Sequence, residues 1–574
     1  MQDFTFSIVG SGGDGAVVAG DLAAMACAAQ GLHVIKTEAY GPQIRGGESS
    51  STVRVSELPI AAQGEAIDAL VVFRFADFAR FRSEMTLSEH CVVLHEPDDT
   101  PPPEIDASLC RPIPFAQMAR DAGAPNAKNI VALGVLAAML GLPAEKIRGA
   151  LRRRFAKKGG TVIDANLRAF EAGLASAAPH PAFGHLLPAR GEKGNGKLLM
   201  SGNEATAFAA LHAGCSFFAG YPITPSSEIL HLLSEWLPRI GGTCLQTEDE
   251  LAAIGAVVGA SFSGAKAMTA TSGPGLSLMS EMLGLSSIAE IPTVTIDVQR
   301  GGPSTGIPTK SEQSDLFHAV YGGHGDMPRV VLAPCDVKDA FHTTVDAFNI
   351  AEEYQLPVIV LSDQDIGQRR ETIDEASLVH DVVPRRMAHA ADDSYLRYAM
   401  TEDGVSPMTV PGMPGGMYQT NGLEHDETGR PSAMFVTHER MNAKRYRKLD
   451  AIAKKYALFE RFGVADPELG ILCWGSSAGP VREAVERMNA RGAGVAAFVP
   501  RILAPLPVEA LNAFLFSCAR ALIVETSFAG QFHRYLRSFV DLPRDTRVFS
   551  RSGGKALTVA EIIEAAAVVQ EVTA

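Results

Sequence analysis

What this chain lacks narrows its chemistry first. Its 574 residues include eight cysteines (Cys27, Cys91, Cys110, Cys215, Cys244, Cys335, Cys473 and Cys518), and no two stand close together. Iron–sulfur and structural zinc sites show short paired spacings. The chain is therefore expected to carry neither, and to keep its thiols reduced and mostly buried. Basic charge is also short. With 51 Lys and Arg against 65 Asp and Glu, the formal net charge is −14. That excludes nonspecific nucleic-acid binding, which needs basic surface, and attraction to anionic membranes. Long apolar runs are missing as well. The longest, IVALGVLAAMLGL, is too short to span a bilayer and reads as a buried helix. The opening MQDFTFSIVG shows no basic stretch leading into an apolar one, so no secretory leader is expected and a cytoplasmic protein is. Aromatic residues make up only 7% of a chain rich in Gly and Ala, a composition suited to closely packed α/β layers.

What is present divides into parts. At about 150 residues per domain the length predicts three or four domains. Residues 1–190 read as one α/β domain: FTFSIVG is a strand, GSGGDG a glycine turn, AVVAGDLAAMACAAQG a helix with a glycine stop, and HVIKTEA a second strand. Gly10, Gly12 and Gly15 satisfy G-x-G-x-x-G, and Glu38 falls where a ribose-binding acid would stand. A nicotinamide-binding module and a plain tight turn are both compatible with that motif. Arg45 and Arg54 follow on a Gly/Ser loop and the next strand. The Pro- and Gly-rich stretch from Ser176 to Lys197 is a linker. A second α/β domain spans 198–385. Between 386 and 455 the periodicity breaks and a long irregular loop is expected, with His425 as a local hydrogen-bonding residue. A last α/β domain spans 456–574. Its turns at Gly475-Ser476-Ser477 and Glu525-Thr526-Ser527 read as tight turns rather than anion sites.

The chemistry concentrates between Gly220 and Lys310. Four short polar or glycine-rich turns each adjoin an apolar segment, a pattern that builds a site at the strand ends of a parallel α/β sheet. The first turn carries Tyr221, Thr224 and Ser226, and Ser226, Ser227 and Glu228 are expected to cap the helix that follows. The second ends in Thr247-Glu248-Asp249-Glu250 before LAAIGAVVGAS, which is small and apolar all round and so should be a buried helix with an acid at its start. The third, Thr271-Ser272-Gly273-Pro274-Gly275, lets backbone approach a ligand closely. The fourth sets Arg300 beside Gly301 and Gly302, where a guanidinium can grip a carboxylate. Singly, each turn is more often a connection, a cap or a surface charge. Four in one stretch reverse that preference.

YPITPSSEI, ELAAIGAVVGA, TATSGPGLSLM and QRGGPSTGIPTK resemble the alpha subunit of the 2-oxoacid:ferredoxin oxidoreductases, in the form with a gamma domain fused at its N-terminus. The resemblance covers nearly the whole chain. It implies several three-layer α/β domains: a gamma-type domain (1–190), a thiamine-pyrimidine-binding domain (198–385), an irregular active-site loop and connector (386–455), and a transketolase C-terminal-like domain (456–574). It implies half a thiamine diphosphate site. In such enzymes a Gly-Asp-Gly triplet with a later Asn binds the diphosphate metal. The only triplet here, Gly13-Asp14-Gly15, lies in another domain, and the first Asn after it is Asn126. No metal site is therefore expected on this chain. Mg2+ and a 4Fe-4S cluster are expected on a beta subunit, in a heterotetramer of two alpha and two beta chains that reduces ferredoxin. The resemblance assigns cofactor binding to Tyr221, Thr224, Glu250, Ser272 and Gly273. Glu250 would hydrogen bond the pyrimidine nitrogen and favour the tautomer that deprotonates the thiazolium carbon. Arg300 and Thr224 would hold the carboxylate to be lost, and Lys310 a distal one. Gly12, Gly13 and Arg45 would contact coenzyme A. The fused layout and the GLEHDETG loop favour oxidative decarboxylation of 2-oxoglutarate to succinyl-CoA, forward or in reverse. Pyruvate or a branched-chain 2-oxoacid is the alternative, as is a non-redox thiamine enzyme.

Overall fold

The computed structural model describes residues 3–41, 47–178, 196–388, 391–392 and 394–571. It divides into two compact units, one of residues 1–200 with 368–377, the other of 201–367 with 378–574.

The first unit is built on an eight-stranded sheet. Strand Asp3–Ser11 lies between Ile67–Val72, which it pairs in parallel, and Glu48–Ser56, which it pairs antiparallel. His33–Tyr40 pairs antiparallel with the far side of Glu48–Ser56. This order departs from a dinucleotide fold, where the first two strands run side by side in parallel. Segment 368–377, at the end of the 198–385 stretch, contributes strand Arg370–Ile373, which pairs with His33–Tyr40. Helix Lys128–Leu140 is the apolar run of the sequence analysis. It is buried on nearly every side, and Gly134 and Gly173 bring it against helix Gly160–Ser176 with backbone in contact, where a side chain would clash.

The second unit holds two sheets. One orders seven strands as Ile502–Ala504, Val330–Leu332, Pro357–Asp363, Thr293–Gln299, Ala267–Thr271, Phe217–Gly220 and Thr243–Gln246. All its described pairings are parallel except that of Ile502–Ala504. Its central strands are buried along their whole length, as continuous apolar runs with helices on both faces require. The five-stranded sheet of residues 459–550 shares its core: Val257, Leu276 and Leu361 belong to one apolar cluster with Trp474, Phe498 and Phe532.

The 386–455 stretch is irregular only in its first two thirds. Phe435–Lys455 is a 21-residue helix. Its buried face is Met441, Lys444, Arg445, Lys448 and Ile452, which are spaced as a helix stripe should be but are largely cationic. An apolar-periodicity reading passes over such a helix. Lys444 and Lys448 each reach the fully buried Glu290 at 2.6 Å, and the Arg397 guanidinium donates to the Glu290 carbonyl at 2.7 Å. Arg445 holds Glu424 at 2.7 Å. His425 is buried beside Tyr398, with Nδ1 at 3.0 Å from the Leu423 carbonyl, the local role expected of it.

Candidate active site

The four turns singled out in the sequence follow four neighbouring strands of the seven-stranded sheet: Thr293–Gln299, Ala267–Thr271, Phe217–Gly220 and Thr243–Gln246. Because these strands are parallel, their C-terminal ends, and with them all four turns, lie on one edge. That is where ligands enter an open α/β sheet.

Glu250 opens helix Glu250–Phe262 and is 5% exposed. The neighbouring Asp249 is the cap, its carboxylate accepting from Ala252 N–H at 2.7 Å. Glu248 is exposed. Of the three adjacent acids, Asp249 is spent on the backbone, Glu248 faces solvent, and Glu250 is held inside. The helix itself is not buried all round: Ala253, Ile254, Val257 and Val258 pack inward, while Leu251, Ala252 and Gly259 are exposed.

The third turn explains how a carboxyl fits there. Ser272 precedes helix Gly273–Ile288. A Cβ on Gly275 would stand 2.7 Å from both Cγ and Oε1 of Glu250, and closer still to Thr271 Oγ1. The Glu250 carboxyl thus lies against bare backbone. Ser272 is fully buried, and its Oγ has no partner among the described residues. Buried hydroxyls are normally satisfied, so this atom is able to bond to a group brought into the site.

Arg300, 7% exposed, is not a surface arginine. Its Nη1 donates to the Thr224 carbonyl at 2.6 Å, while Nε is buried without a partner among the described residues. Burial pulls its pKa below the usual arginine value, partly offset by the charge of Asp315. A surface reading pairs Arg300 with Glu312 or Asp315: Glu312 instead accepts from Gly553 N–H at 2.7 Å, while the charge of Asp315 does act on the buried Arg300. Gly301 N–H donates to the Lys310 carbonyl at 2.8 Å, so the loop after Arg300 closes on Lys310, whose stem packs over Gly554. Tyr221 is exposed on the first turn. The cap expected of Ser226 is not made; its hydroxyl donates to the Ile223 carbonyl at 3.0 Å.

In the first unit the glycine turn is satisfied from within. Asp14 accepts from Ser11 N–H at 2.9 Å and pairs with Lys128 at 2.8 Å, so it is engaged in holding the turn rather than free for a metal. Gly12 N–H donates to the Gly47 carbonyl at 2.8 Å, and Gly13 has φ 101°. Glu38 is bound by Lys36 and by the Tyr40 hydroxyl. With its second strand displaced from the first, this turn has lost the features of a nicotinamide site. Arg45 lies outside the described residues. In the last sheet, Glu525 closes its own turn by accepting from Phe532 N–H at 2.9 Å and His533 N–H at 3.0 Å, and Ser477 donates to the Trp474 carbonyl at 2.6 Å. Both turns are structural.

Asp297 and Gln313 are not singled out by sequence reasoning, which weighs Asp315 only as a surface partner of Arg300. Gln313 is fully buried and ties the site segment to the last sheet, donating to the Trp474 carbonyl at 2.6 Å and accepting from Thr526 N–H at 2.9 Å. Asp297 did leave a signal: an acid inside VTIDVQ, a strand with no outward face, has to be accounted for by function or pairing.

The four turns lie within a region that matches known proteins. Residues 208–444 match the family described as pyruvate flavodoxin/ferredoxin oxidoreductase, thiamine diphosphate-binding. Residues 5–176 match pyruvate ferredoxin/flavodoxin oxidoreductase, and 467–562 match core domain II of pyruvate:ferredoxin oxidoreductase. The chain is 35% identical to the 2-oxoglutarate synthase subunit KorA of Methanocaldococcus jannaschii, over 62% of this chain and 95% of that one. It is 35% identical to 2-oxoacid:ferredoxin oxidoreductase 2, subunit alpha, of Aeropyrum pernix, over 75% and 71%. Among solved structures, the 2-oxoglutarate:ferredoxin oxidoreductase of Magnetococcus marinus, with 2-oxoglutarate, coenzyme A and succinyl-CoA bound, superposes with a TM-score of 0.93 at 37% identity, over 99% of this chain and 100% of that one. The chain belongs to the 2-oxoacid:ferredoxin oxidoreductase family, among its alpha subunits.

Proposed function

We propose that this chain is the alpha subunit of a thiamine diphosphate-dependent oxidoreductase that converts 2-oxoglutarate and coenzyme A to succinyl-CoA and CO2, passing electrons to ferredoxin. The observation that carries the substrate is the likeness, along the entire chain, to an enzyme solved with 2-oxoglutarate, coenzyme A and succinyl-CoA bound.

The residues fit the cofactor that the family implies. Ser272 Oγ is a buried hydroxyl awaiting a partner, and Gly275 leaves a cradle that a Cβ would fill. Thiamine diphosphate supplies the nucleophilic thiazolium carbon and the electron sink for decarboxylation. Glu250 would hold a proton at the pyrimidine ring nitrogen, with Tyr221, Ser272 and Gly273 lining the ring. Arg300, pinned at one nitrogen by Thr224, keeps Nε free for the carboxylate that will leave, and Thr224 would meet the same end. Lys310 is assigned to the distal carboxylate. Gly12, Gly13 and Arg45 are assigned to coenzyme A.

A beta subunit would bring the diphosphate's Mg2+ and the 4Fe-4S cluster, in an assembly of two alpha and two beta chains. In support, Tyr221, Leu245, Leu251 and Leu278, large apolar residues on the elements that carry the site, are exposed on this chain. Apolar surface clustered about a functional edge marks an interaction face. The cytoplasm is the proposed compartment. Among the described residues no helix is long and apolar enough to cross a membrane.

The test is turnover of the purified two-subunit enzyme with coenzyme A, ferredoxin and a panel of 2-oxoacids. 2-Oxoglutarate should give the highest kcat/KM. A preference for pyruvate or a branched-chain 2-oxoacid would overturn the substrate assignment. A complex without iron–sulfur absorbance would point to a non-redox thiamine enzyme.

A further inference from the structure

One buried group beside the site has no place in the chemistry above. Asp297 is fully buried in strand Thr293–Gln299, and no donor among the described residues reaches either of its carboxyl oxygens. What faces it is a second carboxyl, that of Asp315, whose Oδ2 also lacks a donor. Asp315 is fixed in place: its N–H donates to Gln299 Oε1 at 3.1 Å, and the Gln299 amide donates to the Ser362 carbonyl at 2.9 Å. Two carboxylates in contact in a dry site cannot both hold charge, so the pair retains a proton.

The surroundings tie this pair to Arg300. A Cβ on Gly273 would stand 2.6 Å from Asp315 Oδ2, so the carboxyl abuts the start of helix Gly273–Ile288, where negative charge is favoured. Arg300 favours the ionised form of Asp315, and Glu312 opposes it. Glu250 touches the same helix start at Gly275. Asp363, on the neighbouring strand opposite Gln299, accepts from Ile366 N–H at 3.1 Å. Burial raises both pair members, Asp315 to about 6.

With no substrate present, the singly protonated pair supplies the negative charge facing Arg300. A 2-oxoacid carboxylate docking on Arg300 adds a second. We propose that Asp297 and Asp315 are a proton-sharing positioning pair behind Arg300, taking up one proton as the substrate carboxylate docks and releasing it when that carboxylate departs. The inference rests on Arg300 as the carboxylate anchor. The proton comes from solvent and adds to the pair, and no substrate bond is broken in the step.

Glutarate is the probe, since it carries two carboxylates and no carbonyl. Its binding to the complete two-subunit enzyme is measured by calorimetry at pH 7 in buffers of different ionisation enthalpy, then across pH 6–8. The wild type should take up a proton, and its affinity should fall as pH rises, approaching tenfold per unit. In Asp297→Asn the amide donates to Asp315 and pins it as the anion. Uptake should vanish and affinity should lose its pH dependence. Asp315→Asn should do the same, so one misfolded variant would not remove the test. Binding by the wild type without proton uptake would overturn the proposal, as would unchanged uptake in both variants. Failure of the underlying anchor shows separately: Arg300→Ala would then bind glutarate as tightly as the wild type.

Discussion

Gly275 is the position where one methyl group should reveal whether Glu250 is catalytic. In Gly275→Ala the new Cβ would stand 2.7 Å from Glu250 Cγ and Oε1. Carbon atoms pack at about 3.5 Å, so the carboxyl must retreat by roughly 0.8 Å. Thr271 Oγ1 crowds the same spot, so the methyl cannot simply lean the other way. Glu250 is buried and opens a helix, and it cannot retreat without changing the direction of its carboxyl. A misplacement of about 1 Å at a catalytic group costs on the order of 100-fold. The expected result is a fall of about 100-fold in hydrogen–deuterium exchange at the thiazolium carbon, in enzyme saturated with thiamine diphosphate. The control is Gly284→Ala on the same helix, where the added Cβ meets only Met327 Sδ at an ordinary 3.5 Å. Gly275→Ala must displace Thr271 or Glu250 at a cost in stability that Gly284→Ala does not incur, so unfolding and cofactor binding are measured for both variants alongside exchange. If Gly275→Ala folds, binds cofactor and exchanges within about twofold of the wild type, Glu250 does not act at the ring nitrogen.

Four further outcomes are expected. Glu250→Gln should slow the same exchange strongly while Glu248→Gln, at an exposed position, leaves it unchanged; exchange kinetics check both. Arg300→Lys should raise the substrate KM, and Arg300→Ala more so, by about 2–5 kcal/mol of lost binding, with thiamine diphosphate affinity nearly unchanged, as read by steady-state kinetics and cofactor titration. Glu290→Gln should cost about 3–5 kcal/mol, because Lys444, Lys448 and Arg397 would remain buried around a neutral group; denaturant unfolding measures it. Burial pushes Lys448 down to about 7, below the ~10.4 of an unfolded lysine. At this site the unfolded chain therefore holds more protons from about pH 7 to 10, so the contribution of Lys448 to stability should rise with pH across that window, read by denaturant unfolding as a wild-type-minus-Lys448→Met difference that grows with pH.

Part of this strand edge could be read in the sequence because three of the candidate site residues directly follow apolar strands. VTIDVQ, AMTAT and FFAG are strands in the structure, and Arg300, Ser272 and Tyr221 come directly after them. What escaped was whatever depends on contacts between distant residues. The helix Phe435–Lys455 was read as irregular because its inward stripe is lysine and arginine, and its partners Glu290 and Glu424 lie far off in the chain. Glu250 was separated from Glu248 and Asp249 only by burial and capping, which local sequence does not contain. Asp297 shows both sides of the matter. An acid in a buried strand is visible as an anomaly, yet its partner Asp315 is found only once the chain has folded.

The helix Glu250–Phe262 was expected to be buried all round, and its composition still argues for that. Leu251 beside Glu250 and Leu278 on the adjoining helix are left bare on this chain. Polar substitutions there would cost the isolated fold little, so the stability of this chain does not explain apolar residues at these positions. They are explained if another surface covers them. The same surface would then close the site from the side opposite the sheet, excluding water from Glu250 and Arg300, whose electrostatic influence grows as the dielectric falls. With the proposed beta subunit in place, apolar exposure and the expected half of a cofactor site would be one property of the chain, since Leu251 adjoins Glu250 and Leu278 lies on the helix whose start Glu250 touches.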